Sequence, residues 1–267
     1  MKLIRHATSA GPAWAALQPD GSVRAVTGDI FGDFRVTDQV VPAGKLLAPL
    51  PPAAILCIGL NYAKHAAEGG KPPPERPVLF MKNPGSVQNP GDSIEIPTRQ
   101  PSTMVDYECE LAVVIGRRCK NASRAEAMSY VLGYTCANDV SARDWQRTLG
   151  GGQWCHAKSF DTFCPLGPVL VTKDEIPEPN NLRIRTLLNG QVMQDCNTSD
   201  MIFDVPTLIE FLSSSKTLLP GTVILTGTPA GVGFARTPPV WLKAGDTVSI
   251  EIEKIGTLTN PVVDEKP

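Results

Sequence analysis

Hydrophobic positions along this chain come in short runs broken by glycine, proline and small polar residues, and few of them recur with helical spacing. Lys2–Ile4, Ala13–Leu17 and Val23–Val26 read as short strands, with Pro19–Gly21 as the turn before the third. Eleven prolines between Pro42 and Pro97 keep that stretch extended or looped. Within it, Asn61–Glu68 has the pattern of a short helix, capped by Asn61 and stopped by Gly69-Gly70. Lys71–Pro77 follows as a mobile connector, so residues 65–77 are expected to move and to close over a ligand.

Met104–Gly116 is the clearest strand, and Leu111–Ile115 is apolar enough to be buried on both faces. Ser123 and Glu126 make a capping box that predicts a helix carrying Met128 and Leu132 on its apolar face. Gly133–Asn138 returns as a strand. Leu182–Leu188 and Gln191–Cys196 flank Asn189-Gly190, a strong hairpin signal. Asp204–Ser213 reads as a helix with an aspartate cap, and Val223–Thr226 as a strand feeding a glycine-rich turn. Val248–Glu253 and Thr257–Val263 form a last hairpin around Gly256. The expected class is α+β and β-rich, with two or three short helices.

Composition narrows this further. The 267 residues suit one large domain with a small appendage: a β unit over 1–50 and a main domain over 51–267. With 23 glycines and 25 prolines, turn-forming residues exceed the average of about 12%, which leaves little room for long helices. A net charge of −2 argues against nucleic acid or an anionic membrane as partner. No apolar run approaches the ~20 residues of a membrane span. Seven cysteines, an odd number with no C-x-x-C pair, read as buried reduced thiols rather than a disulfide framework or zinc site. The first residues carry no secretory signal. A cytoplasmic protein is expected, or one of the mitochondrial matrix had a leader been removed.

Candidate chemistry clusters in the middle of the chain. Glu108 and Glu110 alternate on a strand, so both project from one face, roughly 6.5–7 Å apart at Cα, while Cys109 faces the core. An isolated E-x-E usually marks an exposed strand face. Here Leu111–Ile115 dives into a core just beyond it. Asp139 ends the next strand, and three carboxylates make a hard-oxygen site suited to Mg²⁺, Mn²⁺ or Ca²⁺. Arg143 could grip a carboxylate with its planar fork, and Gln146 could position a carbonyl or water. Lys158 lies among apolar neighbours, where a lysine can serve an oxyanion. The turn Gly227–Gly233 lacks a phosphate-loop ending but could offer N–H groups and the Thr228 hydroxyl to a small anion. His65 and Glu68, three apart on a helix, could form an acid–base pair. His6 and His156 have no such partner and read as structural.

Together these residues resemble the fumarylacetoacetate hydrolase superfamily. The resemblance rests on Ile58–Tyr62 with His65 and Glu68, Asp106–Leu111, Asn138–Gln146, Lys158–Gly167 and Leu225–Gly233, in the family's order over about residues 53–263. It implies a mixed β-sandwich roll with a small N-terminal β domain and a homodimer. It also implies a divalent metal on Glu108, Glu110 and Asp139. His65 and Glu68 map onto the family's lid pair, and Lys158 onto its lysine. Arg143, Gln146 and Thr228 map onto its substrate-binding positions. Two departures stand out: Ala157, where glycine is common, and Lys82-Asn-Pro84, where Lys-Pro is common.

The substrate class expected from this site is a small 2-oxo or 2,4-dioxo acid. The His65–Glu68 pair favours hydrolytic C–C cleavage of an acylpyruvate-like acid, with water as the second reactant. Oxaloacetate keto–enol tautomerisation or decarboxylation on the same site is the alternative, and a catalytically silent oxo-acid binder the third.

Overall fold

A computed structural model describes residues 1–70 and 72–266. Lys71, the first residue of the connector read as mobile, lies outside the described residues.

Two sheets pack face to face. The larger runs, in spatial order, through Phe34–Val40, Val23–Gly28, Gly11–Leu17, Lys2–Thr8, Cys164–Thr172, Val131–Asn138, Cys109–Ile115, Thr222–Leu225, Ala54–Gly59 and Val78–Lys82. Along this path neighbours are antiparallel except Thr222–Leu225 beside Ala54–Gly59, which is parallel, and off it Val87–Gln88 pairs in parallel with Cys164–Thr172. The smaller sheet orders Gln191–Asn197, Arg183–Leu188, Thr247–Ile252, Gly256–Asp264 and Ile94–Ile96. Residues 1–50 thus form one end of the larger sheet, joined to it where Lys2–Thr8 pairs with Cys164–Thr172. Phe34–Val40, a strand that the sequence pattern did not announce, extends that end by one more pairing.

Strand alternation explains where the core sits. Along Cys109–Ile115, the odd residues Cys109, Leu111, Val113 and Ile115 pack between the sheets against Ile184, Ile250 and Leu258. The even residues Ala112 and Val114 enter a second cluster on the opposite face, with Ile55, Cys57, Phe80 and Leu166. This strand is therefore buried on both faces, as its unbroken apolar run predicts. Glu110 shares the parity of Ala112 and Val114, so it projects away from the sandwich core, toward the face where Phe80 lies.

Three local expectations are corrected. The helix after Gly59 runs Ala63–Glu68, and Asn61 does not cap it: Tyr62 is the N-cap, without a side-chain bond. One capping-box bond does form, from the Ser123 N–H to Glu126 Oε2 (3.2 Å), and the Ser123 hydroxyl donates to the same oxygen (2.7 Å). Only a 3₁₀ turn over Ala127–Tyr130 follows, because the chain from Val131 is drawn into the sheet, Leu132 included. The Met104–Gly116 strand is broken, pairing over Val105–Asp106 and again over Cys109–Ile115. Elsewhere the patterning holds. The Asn189-Gly190 hairpin forms with both residues at positive φ, and Asp204 caps Val205–Ser213 by accepting from the Thr207 N–H. All seven cysteines are free, five buried and Cys155 and Cys196 half-buried.

Candidate active site

Pairing brings the carboxylates together. Cys109 lies opposite Asn138 in the antiparallel register, so the residues just outside that pair, Glu108 and Asp139, leave the sheet at the same end. Two bonds lock the arrangement: the Asp139 N–H donates to the Glu108 carbonyl (2.9 Å), and the Glu108 N–H donates to Asn138 Oδ1 (3.0 Å). One carboxylate oxygen from each of Glu108, Glu110 and Asp139 lies within 4.8 Å of the other two, and all three residues are buried.

Buried like charges need partners, and the fold supplies three cations. Lys158 Nζ donates to Glu108 Oε2 and Asp139 Oδ2, both at 2.7 Å. Lys82 Nζ, 2.6 Å from Asp139 Oδ1, also donates to the Val140 carbonyl. Arg143 donates to Asp106 (2.9 Å), Glu108 (2.7 Å) and Gln146 Oε1 (2.9 Å). Arg143 does grip carboxylates as its fork suggests, but they are the protein's own. Four carboxylates, with Asp106, thus face three cations. Glu110 is the one left without an ion-pair partner among the described residues, accepting instead from the Gly227 N–H (2.6 Å).

Ionisation follows from this geometry. Burial, then the charges of Asp139 and Glu108, push the Glu110 carboxyl well above the ordinary carboxylate range. Burial opposes ionisation of Glu108 too, but Lys158 and Arg143 outweigh it and hold that carboxyl well below the range. Burial would discharge Lys158, yet Asp139 and Glu108 keep its ammonium above the usual lysine value.

The glycine-rich turn after Leu225 holds the remaining pieces. Four N–H groups in and just after it donate to the protein's own carboxylates: Gly227 to Glu110, Gly231 to Glu68 (3.0 Å), and Gly233 and Phe234 to Asp106 (2.8 and 3.0 Å). Such close approach needs glycine. A Cβ at Gly233 would sit 1.9 Å from the Val240 carbonyl oxygen and 2.6 Å from Asp106 Oδ1, and Gly227 has φ +100° and leaves so little room that a Cβ there would lie 2.7 Å from Asn61 Cβ. The Thr228 hydroxyl accepts from Gln194 Nε2 (2.8 Å), which leaves its own O–H to donate.

Across a cavity of about 690 Å³ from these carboxylates stands the short helix. His65 Nδ1 lies 3.1 Å from Glu68 Oε2, leaving Nε2 as the ring nitrogen free of that contact. Asn61 ties the helix entrance to the turn: its Nδ2 donates to the carbonyls of Phe203 (3.0 Å) and Thr226 (2.7 Å), and its Oδ1 accepts from the Phe203 N–H. The cavity is lined by His65, Glu68, Glu108, Glu110, Arg143, Gln146, Lys158 and Thr228. All nine residues singled out from the sequence therefore converge, with Asp139 behind Lys158. His6 and His156 lie elsewhere, His6 accepting from the Gly44 N–H and His156 contacting Gln100.

Sequence reasoning missed Lys82, Asp106, Gln194 and Asn61 as parts of the site. Lys82 had a readable signal. It shares strand parity with Phe80, on the inward side of a strand whose Leu79 and Met81 face out.

The comparisons with known proteins agree with this geometry. Residues 54–263 match the family described as fumarylacetoacetate (FAA) hydrolase C-terminal, and residues 1–49 match one described as Rv2993c-like, N-terminal. The mitochondrial oxaloacetate tautomerase fahd2 of Xenopus laevis is 52% identical over 220 residues, 82% of this chain and 68% of its own. A crystal structure of 5-carboxymethyl-2-hydroxymuconate delta-isomerase from Mycobacterium smegmatis superposes with a TM-score of 0.86 at 44% identity, covering 99% of this chain and all of that one. Fumarylacetoacetate hydrolase from the psychrophilic Exiguobacterium antarcticum gives 0.86 at 35% identity with the same coverage. Fold, shared sequence and the converging carboxylates lead to one assignment: the chain belongs to the fumarylacetoacetate hydrolase family.

Proposed function

We propose that this protein is an oxaloacetate tautomerase, moving a proton between the 2-hydroxyl of the enol and carbon 3 of the keto acid. The observation that carries the reading is the opposition, across one cavity, of a carboxylate cluster short of positive charge and a His65–Glu68 pair with one ring nitrogen uncommitted. Support comes from the tautomerase at 52% identity and the isomerase at 44%. Both are named for reactions that shift a proton rather than cleave a carbon–carbon bond. Hydrolysis of an acylpyruvate-like acid, which the His–Glu pair alone favours, becomes the second reading, supported by the fumarylacetoacetate hydrolase at 35% identity.

The donor set fits a divalent cation. Glu108, Glu110 and Asp139 offer only hard oxygens. Lys158 already stands as a cation between two of them, and Glu110 remains uncompensated. These three residues would hold the metal, Mg²⁺ first and Mn²⁺ or Ca²⁺ as alternatives, and it would supply Lewis-acid stabilisation of charge developing on the substrate oxygens.

The chain's own groups do the rest. Lys158, held charged by Glu108 and Asp139, favours negative charge on the 2-oxygen as the enol proton leaves. The Thr228 hydroxyl and Gln146 orient the 1-carboxylate. Arg143 acts on Glu108 and Gln146 and positions both. His65 Nε2 carries the proton: the enol O–H pair becomes the C2=O bond, the C2=C3 pair takes a proton at carbon 3, and Glu68 steadies the imidazolium between the two transfers. Trp154 and Phe80 wall the cavity and limit water around this exchange.

Adding the Mg²⁺-loaded protein to freshly dissolved enol-oxaloacetate should speed the loss of enol absorbance, with no pyruvate released from acetylpyruvate in parallel. Pyruvate release from acetylpyruvate without enol conversion would hand the site to the hydrolase reading. The proposal extends to a homodimer, supported by the outermost strand Val78–Lys82, whose Leu79 and Met81 are exposed, and scattering in solution measures it.

A further inference from the structure

The cavity holds two cations that the metal-site network does not use. Arg143 and Lys158 are consumed by Asp106, Glu108 and Asp139. Arg147 and Arg236 line the same cavity, and among the described residues no carboxylate lies within ion-pair distance of either. Arg147 is exposed at the mouth. Its guanidinium stacks over the Phe234 ring, 3.8 Å from the centroid, and no hydrogen bond engages its donors among the described residues. Arg236 is half-buried and anchored by its Nε on the Gly231 carbonyl (3.3 Å) and by Nη2 on the Met193 carbonyl, and its guanidinium also meets the Tyr107 hydroxyl; none of these partners carries a carboxylate charge.

Both side chains are thus placed without being neutralised. A guanidinium laid flat on an aromatic ring keeps its fork of N–H donors in the plane and ready for an anion. A side chain anchored through two of its nitrogens has already lost most of its rotamer freedom, so little more is lost when a ligand binds. Phe234 ties the two together. It stacks under Arg147, its N–H donates to Asp106, and it stands two residues before Arg236. The turn that supports the carboxylates therefore also places the cations.

We propose that Arg147 and Arg236 form a clamp for the second carboxylate of the substrate, making the site selective for 2-oxo diacids over monoacids with the same reactive end. The inference rests on the oxo-acid reading of this cavity and adds the feature that reading lacks. The groups near Glu108 and Asp139 recognise the 1-carboxylate and 2-oxygen that every 2-oxo acid shares, whereas the mouth recognises what distinguishes oxaloacetate.

Malate and lactate test this without turnover, since they share a 2-hydroxy acid end and differ in the second carboxylate. Calorimetric titration of the Mg²⁺-loaded wild type should give malate at least about tenfold tighter than lactate, the scale of a charge-assisted carboxylate contact. The double variant Arg147→Met, Arg236→Met should bring that ratio down about tenfold. Should the double variant melt early, Arg147→Met alone, at an exposed position, should lower the ratio at least about threefold. A wild-type ratio near one, a ratio retained in the variants, or no malate binding at millimolar concentration each overturns the clamp. The reaction is judged separately. An arginine-dependent ratio in a protein that fails to convert enol-oxaloacetate leaves the clamp standing and removes the tautomerase, while conversion beside an arginine-independent ratio does the reverse.

Discussion

The floor and the mouth of one cavity solve opposite electrostatic problems. At the floor, Glu108, Glu110, Asp139 and Asp106 are buried, and Lys82, Lys158 and Arg143 leave them one positive charge short. At the mouth, Arg147 and Arg236 stand half-buried or exposed with no carboxylate partner among the described residues. The floor can be fixed in advance because its ion pairs form between strand ends set by sheet register. The mouth is built from the turn after Leu225, the π-helical turn Trp145–Leu149 and the helix Ala63–Glu68, elements that few backbone pairings constrain. A rigid deficit of positive charge beside an open surplus of it suits a dianionic ligand that also engages a cation.

The largest expected effect is at the floor. Glu110→Gln keeps the shape and the Gly227 contact but removes the uncompensated charge. Enol conversion should fall about a thousandfold or more, the several kcal/mol that metal assistance supplies. In chelator at pH 8 the same variant should melt above wild type, because a strained buried carboxylate is gone. Retained activity, or a lower melting temperature, would break the contrast between floor and mouth.

The floor also fixes a dependence on pH. The Glu110 carboxyl is raised in the folded state, so its contribution to stability is full below the ordinary carboxylate range and is lost as pH rises through the raised value. The Glu108 carboxyl is depressed, so its contribution is present above the ordinary range and is lost as pH falls through the lowered value. Chelator-treated protein should therefore lose melting temperature on both sides of a mildly acidic maximum. Saturating Mg²⁺ should flatten the alkaline side. Melting curves collected across pH with and without Mg²⁺ read both limbs, and an alkaline limb insensitive to Mg²⁺ counts against Glu110 as a ligand.

At the mouth, catalysis should suffer where stability does not. His65→Ala should cut enol conversion about a hundredfold, the usual weight of a positioned acid–base group. Melting should shift far less, by about 1 kcal/mol at most, since the half-buried ring makes one side-chain contact, to Glu68. Wild-type turnover in this variant would move the proton to Lys158.

The same contrast explains what the sequence made legible. The E-x-E on an apolar strand and Asp139 at the next strand's end are local patterns, and antiparallel pairing of neighbouring strands turns them into one site. The hairpin at Asn189-Gly190 and the cap at Asp204 are local too, and both form. Asp106 and Gln194 were not legible as site residues because their partners, Arg143 and Thr228, are brought near only by the sheet; strand parity marks Lys82 as facing inward, but not that it meets Asp139. The failed helix after Ser123 shows the reverse. Its Ser123 N–H does reach Glu126, but a local signal of about 1 kcal/mol does not outweigh the pairing of Val131–Asn138 on both sides. Asn61 was read as a cap for the same reason: its residue type suits the helix end, while its bonds go to Thr226 and Phe203.

The smallest expected effect tests whether Glu68 belongs to the chemistry or only to the closure of the helix over the cavity. Its carboxylate meets His65 Nδ1 and accepts from the Gly231 N–H with both oxygens, at 3.0 and 3.2 Å. Glu68→Gln keeps one acceptor for the Gly231 N–H and loses the charge beside the imidazole. Glu68→Ala loses both. If the charge matters to proton transfer, each variant should lower enol conversion about tenfold, the scale of one charge-assisted contact, and amide exchange over 63–70 should quicken only in the alanine variant. If Glu68 is a clasp alone, the glutamine variant should keep wild-type turnover and exchange, and the alanine variant should lose both together. Equal loss of turnover with unequal exchange would place Glu68 with His65 in the acid–base pair, and the mouth would then contribute a catalytic charge as well as a binding one.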